Sequence, residues 1–254
     1  MTFWEHLDEL RGCLLRIVIA VFLCAIAAFL LKDPLFAVIL APKNSDFVTY
    51  RLMENVVGSL PAFQIEMINI ELAQQFIIHI KMSLWAAAFV VSPYILFILF
   101  RFVSPALYNN ERRLTIKAVT TGYLLFLSGV MLSYFVIFPL TFRFLGTYQV
   151  QADVPNVISL SSYISVFMML LFMMGLLFEL PIACWLLGRL GLLSAASMRK
   201  FRRHAIVAIL ILAAVITPTG DAFTLTVVAL PIYLLYELSI TVVARNERKE
   251  IDGV

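Results

Sequence analysis

"SYISVFMMLLFMMGLLFELPIACWLL" occupies residues 162–187 and holds one charged side chain, Glu179. A helix of this length, at about 1.5 Å per residue, exceeds the about 30 Å hydrocarbon core of a bilayer. Its side chains are apolar on every face, so no face suits water. The stretch therefore reads as a membrane span. Five similar blocks surround it: Cys13–Leu31, Phe76–Phe100, Ala118–Leu140, His204–Pro218 and Ala222–Ala244. The 254 residues are 62% hydrophobic and 14% charged, where a soluble domain carries about 25% charged residues. Mean hydropathy is +0.97. The expected fold class is all-α: a polytopic membrane protein of six transmembrane helices.

Charge sets the expected threading. Lys and Arg favour cytoplasmic segments. Of the 19 basic residues, 14 fall in the N-terminal segment, the second and fourth connections and the tail, or within the first turn of a neighbouring span. Both termini are therefore expected in the cytoplasm. The start "MTFWEHLDEL" carries Glu5, Asp8 and Glu9 in place of a cationic signal-peptide region, so the first block reads as a retained helix. Residues 1–254 are expected to form one integral membrane domain. Its parts are a cytoplasmic amphipathic helix (1–12), an external cap loop (32–75), a cytoplasmic loop (101–117) and a cytoplasmic tail (245–254).

The fifth block, His204–Pro218, reaches only about 22 Å as a helix, so the last two spans read as a short hairpin. Prolines inside spans, Pro93, Pro139, Pro181 and Pro231, each remove a backbone donor and bend a helix. Bent, unequal helices imply a cupped bundle. The cysteines Cys13, Cys24 and Cys184 and the three histidines lack metal-site or disulfide spacing, and no nucleophile–base pair is visible. No cofactor, metal, enzyme activity or nucleic-acid partner is expected.

Acids stand in unexpected places. Thr2 and Glu5 have capping-box spacing, and Phe3, Leu7, Leu10 and Leu14 form an apolar stripe. The acids of this segment suit either a well-capped helix start or a receptor for a cationic ligand. Glu111, within "PALYNNERR" (105–113), carries the same two readings. Glu179 lies 17 residues beyond Ser162, about 25 Å into its span. An ionisable residue at that depth is functional by default and faces protein or water.

These motifs, in order, resemble the TatC family, the polytopic receptor subunits of twin-arginine protein translocases. "HLDELR" (6–11), "PALYNNERR" (105–113), "FLSGVMLSYFVIFP" (126–139), "FELP" (178–181) and "TPTGDAF" (217–223) are similar to the family's successive motifs. Cys13 and Leu225 depart from its usual pattern. The resemblance implies a protein of the bacterial inner membrane that binds twin-arginine signal peptides of folded cargo on the cytoplasmic side. It implies assembly with single-span TatA/TatB-type partners for export driven by the proton-motive force; self-association is left open. By motif, Glu9 and Glu111 would contact the signal's arginines. Arg11, Phe102, Pro105, Leu107, Tyr108, Arg112 and Arg113 would shape that site, and Glu179 with Pro181 would meet a partner helix. A guanidinium presents a planar fork that a carboxylate accepts bidentately. The rival reading is an ion-coupled secondary transporter using Glu179, although the internal repeats of such folds are not visible.

Overall fold

The computed structural model describes residues 3–58, 63, 65–103, 112–149, 151, 156–217 and 220–251. The described chain is overwhelmingly helical: α1 (Phe3–Leu30), α2 (Lys32–Leu40), α3 (Val48–Val57), α4 (Gln74–Val103), α5 (Arg112–Leu132), α6 (Phe138–Thr147), α7 (Leu160–Leu177), α8 (Leu180–Arg189), α9 (Ala195–Lys200), α10 (Arg202–Ile216) and α11 (Ala222–Ile251). Among the described residues, five stretches are long and apolar enough to cross a bilayer: Leu10–Leu30, Gln74–Ile98, Val119–Thr147, Leu160–Arg189 and Ala222–Arg248. The remaining apolar block is α10, whose 15 residues match the short fifth span expected from the sequence.

Three boundaries differ from expectation. The N-terminal amphipathic segment is not a separate helix on the membrane surface; it forms the first turns of a continuous 28-residue α1. Gly12, the one weak helix former at the junction, meets no neighbour that would force a break. The sixth helix is not short. It runs 30 residues through the charged tail, because the tail's Arg, Lys and Glu side chains are good helix formers and its Glu247 and Asn246 find partners on other elements. The connection expected at 101–117 is shorter, since α4 continues to Val103 and α5 begins at Arg112.

Contacts divide the chain into two compact units. The first comprises residues 1–41, 67–123 and 159–161. Here α1 packs along α4. Phe29 stacks on His79 with ring centroids 4.0 Å apart, and Phe22 and Leu84 line one groove. Residue numbers rise along α1 as they fall along α4, so the pair is antiparallel. The outer edges of both helices remain apolar and exposed, as expected where lipid is the solvent. Pro93 deprives the Phe89 carbonyl of its α-helical donor, and the Ser92 hydroxyl takes that place at 2.7 Å.

The second unit comprises residues 42–66, 124–158 and 162–254. Its third-span helix changes pitch through a π segment, Ser133–Ile137, immediately before Pro139. An α-helical Pro139 would leave the Phe135 carbonyl without its donor. Thr49 of α3 donates its hydroxyl to that carbonyl. The neighbouring Tyr50 hydroxyl lies 3.1 Å from the Pro139 carbonyl and 3.0 Å from that of Pro42. Arg143 covers the Tyr50 and Phe63 rings at 5.6 and 5.3 Å. Burial pushes the Tyr50 phenol well above its ordinary range, against the opposing pull of Arg143. The segment read as an external cap loop thus contains ordered helices, and α3 is bonded to the π segment. On the other face, Phe138 packs edge-on against Tyr163 and Phe167 at 5.0 and 4.9 Å.

Candidate functional sites

The fourth span is two helices. α7 ends at Leu177 and α8 starts at Leu180, with Pro181 in its first turn. Pro181 cannot donate to the Leu177 carbonyl, so the α-helical ladder is interrupted there. Phe178 and Glu179 form the break, and the Glu179 carbonyl accepts from the Ile182 and Ala183 amides at 3.1 and 2.9 Å. The Glu179 backbone is therefore satisfied, but its side chain is not. Both carboxyl oxygens are shielded from solvent and neither has a hydrogen-bond partner among the described residues. Buried polar groups are nearly always partnered, which makes this carboxyl an open bonding position. No group of three or more His, Cys, Asp or Glu residues able to hold a metal occurs among the described residues.

Two glycines set the ground beneath the break. A Cβ on Gly129 of α5 would lie 2.5 Å from the Met174 carbonyl oxygen and 2.7 Å from Cγ of Phe178. A Cβ on Gly175 of α7 would lie 2.8 Å from the Phe126 ring. The two helices thus touch backbone to side chain one turn before Glu179, through small residues as in membrane helix packing generally. Sequence reading missed both glycines. Their occurrence inside apolar spans was the available signal.

The residues that the family resemblance implies for a receptor surface are spread differently. Glu9 and Arg11 lie on α1, Phe102 on the last turn of α4, and Arg112 and Arg113 on the first turn of α5. Arg11 is exposed. Antiparallel packing of α1 and α4 brings the backbone of Glu9 and Arg11 to the same end of the pair as Phe102. Pro105, Leu107, Tyr108 and Glu111 lie outside the described residues.

At the other end of the second unit, α11 gathers the connection between α8 and α10. Glu237 accepts from Arg202 at 2.7 Å and from the Tyr233 hydroxyl at 3.2 Å. Arg189 donates to Asn246 at 3.1 Å. The Ala195 amide donates to Glu247 at 2.8 Å, and Tyr236 donates to the Met198 carbonyl at 2.8 Å. Asp221, within "TPTGDAF", caps α11 by accepting from the Thr224 amide at 2.7 Å. Its position three residues before Thr224 is ordinary N-cap spacing.

Long apolar helices, an interrupted span with an open interior carboxyl and an ordered cap define a multi-pass α-helical membrane protein. The family model for TatC, the Sec-independent protein translocase protein, matches residues 5–231. The chain belongs to the TatC family and is thus a protein-translocase component, not a member of an enzyme family. The Sec-independent protein translocase protein TatC of Blattabacterium sp. subsp. Periplaneta americana is 34% identical over 251 residues, covering 94% of each chain. That of Aquifex aeolicus is 32% identical over 254 residues, covering 99% of each. A crystal structure of the twin arginine translocase receptor TatC superposes with a TM-score of 0.75 at 31% identity, covering 94% of this chain and 98% of that one.

Proposed function

We propose that this protein is the signal-peptide receptor of a twin-arginine translocase in a bacterial inner membrane. It binds consecutive arginines of folded cargo on the cytoplasmic side. Glu9 and Glu111 accept the two guanidinium groups; Arg11, Phe102, Pro105, Leu107, Tyr108, Arg112 and Arg113 shape the surface around them. The observation that supports this reading is the antiparallel packing of α1 on α4, seen at Phe29–His79, which leaves the N-terminal end of α1 and the C-terminal end of α4 at the same end of the pair. Glu179 and Pro181 serve a second contact, with a single-span TatA/TatB-type helix that offers a polar group to the open carboxyl. Export then draws on the proton-motive force.

Hydrogen bonds to charged groups contribute about 1.5–3 kcal/mol each, so two carboxylate contacts provide about two to four decades of affinity. Glu111→Ala is expected to weaken binding of an Arg-Arg signal peptide by one to two of those decades, and of a Lys-Lys peptide far less. Titration of the purified protein with both labelled peptides measures this. Equal losses would assign Glu111 to loop structure and sink its role in recognition.

A further inference from the structure

Residues 199–204 read Arg-Lys-Phe-Arg-Arg-His across the junction of α9 and α10. Arg199, Lys200, Arg203 and His204 are exposed. Arg202 is committed to Glu237, but among the described residues no carboxylate stands within ion-pair distance of Arg199, Lys200 or Arg203. Phe201 is 51% exposed, and its ring meets His204 edge-on at 5.6 Å. An exposed aromatic ring flanked by unpaired cations is the composition of a membrane–water interface.

Two structural facts make this more than a topological charge. First, α10 has 15 residues, about 22 Å of helix, against an about 30 Å hydrocarbon core. It cannot gain length at its far end, where Thr217 is extended and Asp221 already caps α11. A span this short is accommodated by local thinning of the bilayer or by snorkelling of its flanking side chains, and either brings the cations at the start of this helix to the depth of the phosphates. Second, the junction is held in place from beneath. Ala195 and Met198 of α9 are buried against Ile240 and Val243 of α11. The Ala195–Glu247 and Tyr236–Met198 bonds fasten the same helix. The cations are thus presented on a fixed backbone, which lowers the ordering cost of binding.

We propose that the α9–α10 junction binds the phosphate headgroup of an anionic phospholipid through Arg199, Lys200 and Arg203, with Phe201 beside its glycerol and upper acyl region. Guanidinium forks suit phosphate oxygens. The bound lipid fills the shortfall of α10 and seats the last hairpin at its depth.

Native mass spectrometry of the full chain in detergent, titrated with phosphatidylglycerol or phosphatidylcholine, tests this. The wild type is expected to retain phosphatidylglycerol selectively. Each cation near an anionic headgroup is worth about fivefold, so the triple variant Arg199→Gln, Lys200→Gln, Arg203→Gln should lose about a hundredfold in affinity for it. A control variant, Arg245→Gln with Arg248→Gln, removes two exposed cations elsewhere on α11 and should lose only a few-fold. Retention of a monodisperse elution profile by the triple variant establishes that it is folded. Equal binding of both lipids by the wild type, or a control loss as large as the triple variant's, overturns the proposal. Displacement of the lipid by inorganic phosphate overturns it in favour of a free-anion site.

Discussion

Replacing Glu179 by leucine is expected to stabilise the isolated protein while removing its function. Both carboxyl oxygens are buried without a partner among the described residues. A buried polar group left unsatisfied costs about 1–3 kcal/mol. Leucine is similar in volume and carries no polar atom, so the substitution removes that cost and leaves no cavity. For a chain of this size each kcal/mol moves the unfolding midpoint by about 2–4 °C, which gives a rise of about 2–12 °C. Glu179→Gln keeps the polar group and the volume, and should leave the midpoint within about 2 °C. Thermal unfolding of the purified protein in detergent, at one scan rate because membrane proteins unfold irreversibly, supplies the numbers. Site-specific crosslinking to the proposed single-span partner supplies the functional readout, expected to be lost in Leu and Ala and largely kept in Gln. A lower midpoint for Glu179→Leu would mean that the carboxyl already has a partner within this chain, and the docking argument would collapse. A transporter reading separates from docking in the same variants: Gln would then be as inactive as Ala in transport while crosslinking remained intact.

Three further outcomes are expected. Gly129→Ala should lower the midpoint by about 2–12 °C, because its Cβ would stand 2.5 Å from a backbone oxygen that cannot yield cheaply, an overpacking cost of about 1–3 kcal/mol; Gly12→Ala, with nothing within 4 Å of its Cβ, should be neutral or stabilising in the same scan. Tyr50→Phe removes a hydroxyl placed between the Pro42 and Pro139 carbonyls and should cost about 1–3 kcal/mol, read as faster proteolysis between α2 and α4; unchanged proteolysis would show that the aromatic packing alone holds the cap. Single cysteines at Asn109, Arg199 and Asp153, in a background lacking Cys13, Cys24 and Cys184, should label with an impermeant thiol reagent from outside at Asp153 only, and external labelling at Asn109 would reverse the threading.

Much of this protein was determined by local chemistry that its sequence displays. Apolar run length set the spans, because unsatisfied backbone in hydrocarbon forces each run to be helical. The 15 residues of α10 needed only counting. Two of the four prolines marked where a helix breaks or changes pitch, because a missing N–H is a local fact: Pro139 follows the π segment and Pro181 opens α8, whereas Pro93 and Pro231 lie inside continuous helices. The isolation of Glu179 in an apolar run was visible as well, and with it the buried carboxyl of the candidate site. Tertiary structure alone decided which groups answered those local deficits. The deprived Phe89 carbonyl is served by Ser92, three residues away, whereas Phe135 is served by Thr49, 86 residues away. Glu237 and Arg202 are 35 residues apart, and Gly129 meets Met174 across two helices. The helical course of the tail likewise depends on Glu247 and Asn246 finding partners on α9 and α8. A sequence shows where a hydrogen bond is missing or a Cβ is absent; which distant atom occupies that space depends on how the helices pack, and packing is a property of the whole chain.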